Sequence, residues 1–127
     1  MKKQKGPPKQ RAAIMKLPTT GRPTDVLDNL ARFVSETIGQ KSVAKFYIGR
    51  TGDLDSAISR HKCDNIVTLF KAEKIQNVIK VESSLIELLI EDDKCANGKQ
   101  RSVRERSGNP ARYVYLAIWY DLSAISR

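Results

Sequence analysis

Lys45-Phe46-Tyr47-Ile48-Gly49-Arg50-Thr51-Gly52-Asp53-Leu54 is the stretch on which the fold of this chain turns. Phe46 and Ile48 are strand formers that run into a glycine. Arg50-Thr51-Gly52 reads as a turn, and Asp53 is a good cap for a helix that ends at Arg60-His61-Lys62. A strand, a turn and a short helix in this order bring a tyrosine, an arginine and a histidine to one edge of a sheet.

The neighbouring segments extend this reading in both directions. Upstream, Thr24 is an N-cap residue, and Val26, Leu27, Leu30, Phe33, Val34 and Ile38 recur at helical spacing until Gly39. The spacing predicts a helix up to Ile38 and then a strand over 43–49. Within the helix over 54–62, Leu54, Ala57, Ile58 and His61 share a face. Asn65–Lys71 has the composition of a second strand. Lys74–Asp92 reads as the longest helix, with Ile75, Val78, Ile79, Leu85, Ile86, Leu89 and Ile90 directed inward. Tyr113–Tyr120, Tyr-Val-Tyr-Leu-Ala-Ile-Trp-Tyr, is strongly strand-prone. Alternating helices and strands suit a parallel sheet, but a helix over 54–62 is short for a crossover between parallel strands. The expected class is therefore α+β, a small three-stranded mixed or antiparallel sheet flanked by about three helices.

The chain has 127 residues, 40% of them hydrophobic, which is enough for one domain with a mostly aliphatic core. Its net charge of +9 is unevenly placed. Residues 1–24 carry seven Lys or Arg and no acid, and 25–93 carry nine basic and twelve acidic groups. Residues 94–112 carry six basic groups and one acid. A near-neutral body with a basic N-terminal segment and a basic loop is the asymmetry of a polyanion binder. Residues 1–23, rich in Lys, Pro and Gly, read as a flexible basic arm joined to a single domain over 24–127. Lys62, Lys99, Arg101, Arg104, Arg106 and Arg112 are the candidate nucleic-acid contacts, with DNA favoured over RNA as partner. No signal peptide or apolar run of membrane-spanning length is read in the sequence, so a reducing, cytoplasmic setting without a membrane partner is expected.

Glu82 falls on the apolar stripe of its helix, seven residues after Ile75 and just before Leu85 and Ile86. A carboxylate facing a core needs a partner. It either lies at the edge of the stripe, is satisfied by an arginine, or holds a hard cation such as Mg²⁺ together with water and substrate phosphate. His61-Lys62-Cys63 with Cys95 matches no common zinc spacing. His61 is either a histidine at the edge of the core or a proton carrier.

Tyr47-Ile48-Gly49-Arg50-Thr51-Gly52-Asp53-Leu54 followed by His61 resembles the second half of the GIY-YIG nuclease motif. The likeness extends to Glu82 and to Asn97 in Cys95-Ala96-Asn97-Gly98. It implies a compact α+β domain and phosphodiester hydrolysis with one divalent metal, Mg²⁺ or Mn²⁺. Glu82 would bind the metal, Tyr47 would position or deprotonate the attacking water, His61 would assist proton transfer and Asn97 would support the local structure. Two departures stand out. The family's helix arginine falls at Ala57, with Arg60 or Arg50 as substitute. The Gly-Ile-Tyr strand that precedes Tyr-Ile-Gly in the family is absent, and the C-terminal strand, with Tyr113 and Tyr115, is the candidate to fill its place and supply a second phenol. The implied function is a divergent metal-dependent endonuclease. The alternative is a degenerate relative that binds nucleic acid without cutting it.

Overall fold

The computed structural model describes residues 17–97 and 110–121. Three helices and three strands alternate: α1 (Pro23–Ile38), β1 (Val43–Thr51), α2 (Leu54–His61), β2 (Asn65–Lys71), α3 (Ile75–Leu89) and β3 (Tyr113–Tyr120). The sheet order is β1-β3-β2, and both pairings are antiparallel. This settles the expected choice between a mixed and an antiparallel sheet. The C-terminal strand is central, and Val114, Tyr115, Leu116, Ala117 and Ile118 along it are all buried. An unbroken apolar run of this kind suits a strand covered on both faces.

Helices α1 and α3 pack together on one face of the sheet. Leu30, Val34 and Ile38 of α1 and Val78, Val81, Leu85 and Leu89 of α3 meet Val43, Phe46, Ile48, Leu69, Phe70, Val114, Leu116 and Ile118. Two register irregularities fit the strands to this core. The shift between Val43 and Lys45 brings Val43 to the same side as Phe46 and Ile48, and the shift between Thr68 and Phe70 sends both Leu69 and Phe70 into it. Helix α2 lies on the other face, where Tyr47, Ala57, Ala96, Tyr115 and Ala117 form a second, smaller cluster.

Several boundaries differ from the sequence expectation. Helix α1 starts at Pro23 rather than after a Thr24 cap, because proline at the first helical position has its φ preset and needs no N–H partner there. Gly39 ends the helix in ordinary right-handed geometry (φ −74°). Strand β1 runs two residues further, through Arg50 to Thr51. On α3 the buried stripe is Val78, Val81, Glu82, Leu85 and Leu89, whereas Ile75, Ile79 and Ile90 are exposed. Ile58 of α2 is likewise exposed. Each of these helices covers one face of the sheet and leaves its far side to solvent, so the stripe that packs is narrower than the apolar content allowed.

Both outer sheet edges are occupied. Thr19 N–H donates to Leu69 C=O and Thr19 C=O accepts from Lys71 N–H, so the segment before α1 lies along β2. On the other side, Phe46 N–H donates to Lys94 C=O, and Ala96 N–H donates to Phe46 C=O. Pairing these edges removes the open template that an exposed strand presents. Among the described residues no helix is long and apolar enough to cross a membrane.

Candidate functional site

Tyr47 and Ile48 are consecutive in β1, so their side chains take opposite faces: Ile48 enters the main core and Tyr47 the smaller cluster. The register sets Gly49 opposite Tyr115. The Tyr47 and Tyr115 rings lie 6.4 Å apart, centroid to centroid, tilted by 36°. A Cβ at position 49 would come within 2.5 Å of the Tyr115 hydroxyl and 2.8 Å of a Tyr47 ring carbon. The two phenols therefore converge over Gly49 because that residue has no side chain.

The turn after β1 fixes the third aromatic group. Thr51, fully buried, accepts from Asp53 N–H through Oγ1, and Asp53 caps α2 by accepting from Ser56 N–H. The helix ends at His61, and Lys62 closes it in the left-handed region (φ 54°). The His61 and Tyr47 rings lie 4.7 Å apart, tilted by 44°, and His61 Nε2 is 2.7 Å from the Tyr115 hydroxyl oxygen, one hydrogen bond. Trp119 meets His61 edge-on, with Lys45 Nζ 4.5 Å from the indole centroid.

Glu82 and Arg50 add charge at the β1 edge. Arg50 Nη1 and Glu82 Oε1 are 2.5 Å apart; the carboxylate side chain is 9% exposed and the guanidinium side chain 41%. Of the alternatives open for Glu82, the satisfying arginine is present. Burial pushes the Glu82 carboxyl above its usual range, and the hydrogen bond and charge of Arg50 act against that rise. The same charges reach Tyr47. Burial and the Glu82 carboxylate raise its phenol, while Arg60 and Arg50 lower it. His61 is held below its usual value by burial and by Arg60. Tyr47, His61, Glu82, Arg50 and Arg60 thus share one electrostatic neighbourhood.

Asn97 has a different position. Its Oδ1 accepts from Ile48 N–H at 2.9 Å and its Nδ2 donates to Ile48 C=O at 2.7 Å. The side-chain amide acts as one more strand residue on the outer edge of β1, at the residue that follows Tyr47. Ala57 is fully buried among Tyr47, Ala96, Tyr115 and Ala117, so a long side chain has no room there. Lys62 is exposed at the end of α2, and Arg112 is exposed just before β3. Lys99, Arg101, Arg104 and Arg106 lie outside the described residues. Cys95 is in the main core and Cys63 packs against the cluster on the other face.

Tyr115 is the functional candidate that motif spacing alone leaves undecided against Tyr113. The register discriminates between them, since Tyr115 pairs with Gly49 and Tyr113 with Thr51. The chain matches no family model, no curated protein and no solved structure.

Proposed function

We propose that this protein is a divalent-metal-dependent endonuclease of GIY-YIG type acting on DNA, in which the C-terminal strand supplies the phenol that the family carries on a strand before Tyr-Ile-Gly. The observation that carries this reading is the convergence of Tyr47, His61 and Tyr115 over Gly49. The buried Glu82 carboxylate lies within electrostatic reach of them.

Glu82 is the residue that would hold a single Mg²⁺ or Mn²⁺, with water and phosphate completing the shell, since among the described residues no group of three His, Cys, Asp or Glu side chains gathers. Glu82 is a hard oxygen donor in a desolvated position, and its carboxylate already attracts a cation, Arg50. Magnesium sites commonly take one or two carboxylates and complete their shell with water and phosphate. Bound there, the ion supplies charge neutralisation at the phosphate.

The protein's own groups divide the proton work. Burial and Arg60 favour the neutral imidazole, and in the tautomer that carries its proton on Nδ1 the Nε2 of His61 accepts from the Tyr115 hydroxyl. The Tyr115–His61 pair draws a proton from the attacking water toward the imidazole, which is general base catalysis through a phenol. Tyr47 keeps its proton, because burial and Glu82 both oppose its ionisation, and it orients the water or a phosphate oxygen as a donor. Arg60, three residues after Ala57 and on the exposed side of α2, contributes the positive charge that an arginine at 57 would have carried.

A second reading, a binding module without cleavage, is favoured by one observation: Arg50 already neutralises Glu82, so the carboxylate has a structural partner without any metal. Incubating plasmid DNA and RNA with the protein and Mg²⁺ or Mn²⁺, beside Glu82→Ala, tests both. The nuclease reading expects metal-dependent cleavage that falls about a hundredfold or more in Glu82→Ala, the scale of losing one electrostatic group from a catalytic site. Undiminished cleavage by Glu82→Ala overturns the metal-ligand role. Salt-sensitive binding with no cleavage of either substrate selects the binding module.

A further inference from the structure

We infer that Arg50 is an exchangeable counter-ion for Glu82: it leaves the carboxylate for a backbone phosphate when nucleic acid binds, so that nucleic acid and a divalent cation bind cooperatively. The inference rests on the nuclease reading for the identity of its two ligands and adds a coupling between them.

The asymmetry of the pair is the starting point. Glu82 is fixed on α3 with its side chain 9% exposed, whereas the side chain of Arg50 is 41% exposed at the end of an edge strand. Of the two, the arginine has the open path to solvent. A buried carboxylate stripped of its partner is strongly destabilised, so Glu82 without Arg50 favours a replacement cation. A guanidinium, however, binds phosphate at least as well as carboxylate, through two parallel hydrogen bonds.

Charge then decides the order of events. In the free protein Arg50 neutralises Glu82, and a divalent cation entering there brings two positive charges to a site that has no net negative charge to offset them. With a phosphodiester present, the guanidinium transfers to the phosphate oxygens and Glu82 loses its partner. The carboxylate and the phosphate then offer two negative groups to the incoming ion. Each ligand removes an obstacle to the other, and the enhancement must be equal in both directions. Such a device keeps the protein nearly metal-free until substrate is in place.

Mn²⁺ binding to the full chain, read by electron paramagnetic resonance, tests this with and without a saturating phosphorothioate DNA duplex that resists cleavage. The inference expects the duplex to tighten Mn²⁺ binding at least tenfold in the wild-type protein, a comparison that needs no variant. Arg50→Gln is expected to bind Mn²⁺ without DNA more tightly than the wild type does without DNA, and to show a smaller tightening when the duplex is added. Equal Mn²⁺ affinity with and without duplex, while both ligands bind and Glu82→Gln abolishes the Mn²⁺ site, overturns the exchange and leaves the nuclease reading standing. Mn²⁺ binding that is unchanged in Glu82→Gln, or absence of duplex binding, overturns both.

Discussion

Tyr115 and His61 make one hydrogen bond, and the Tyr115 hydroxyl is its donor only when the imidazole is neutral with its proton on Nδ1. Burial and the Arg60 guanidinium both disfavour the imidazolium, so the folded-state value lies below the ordinary 6.5. Between 6.5 and that lower midpoint the unfolded chain binds the proton and the folded one does not. This group's contribution to stability is therefore complete above pH 6.5 and is lost as pH falls through the folded midpoint. His61 is the chain's single histidine, which makes the value directly measurable by NMR titration. The expected midpoint is below 6.5 and moves upward in Arg60→Gln; a midpoint above 6.5 contradicts the neutral-imidazole role. At the same scale, Gly49 is a requirement of the two phenols rather than of the backbone, since a Cβ there meets both rings.

At the scale of elements, β1 is an edge strand held in place by a side chain. Asn97 satisfies both the N–H and the C=O of Ile48, and in doing so fixes the strand that carries Tyr47 and Arg50. Asn97→Ala leaves both groups without that partner in a partly buried position. At about 1 kcal/mol for each hydrogen bond, it is expected to lower stability by about 2 kcal/mol in denaturant unfolding. A change near zero means that water replaces the amide. The order strand, turn, helix from Phe46 to His61 and the limits of β2 and β3 were legible in the sequence, but the expected turn at Arg50 and Thr51 is strand, since both residues pair with β3. The inward face of α3 was legible only in part. Ile75, Ile79 and Ile90 are as apolar as Val78 and Leu85, so periodicity could not choose the stripe that one sheet face would cover. Glu82 was recognisable as out of place on an apolar stripe, but its partner was not, since Arg50 lies 32 positions away and meets it only through the packing of α3 on β1.

On the scale of the whole molecule, the last strand among the described residues is the middle strand of the sheet. The domain cannot complete its sheet, or bring Tyr115 to Tyr47, until the C-terminal segment is in place. Sequence order hides this, because β1 and β2 both pair with β3 and not with each other. Charge is the other whole-molecule property. Residues 1–16 lie outside the described residues and hold six of the 23 Lys and Arg. Deleting 1–16 retains Thr19, which lies along β2, and so should leave thermal unfolding unchanged. The truncated protein is expected to bind duplex DNA more weakly and with a shallower dependence of log K on log salt, the slope falling by about 0.9 for each phosphate it no longer neutralises. Unchanged affinity and slope would show that this segment neutralises no phosphates.

The central claim is that β3 delivers the second phenol of the site. Cleavage rates of Tyr115→Phe and Tyr120→Phe, measured beside the wild type, test it directly. Tyr120 packs against the main core on the opposite face, and its hydroxyl accepts from Asn65 rather than meeting His61. The account predicts that Tyr115→Phe loses about a hundredfold or more in rate, the range of one general acid–base group, while Tyr120→Phe keeps the wild-type rate. Equal rates for the wild type and Tyr115→Phe would contradict it.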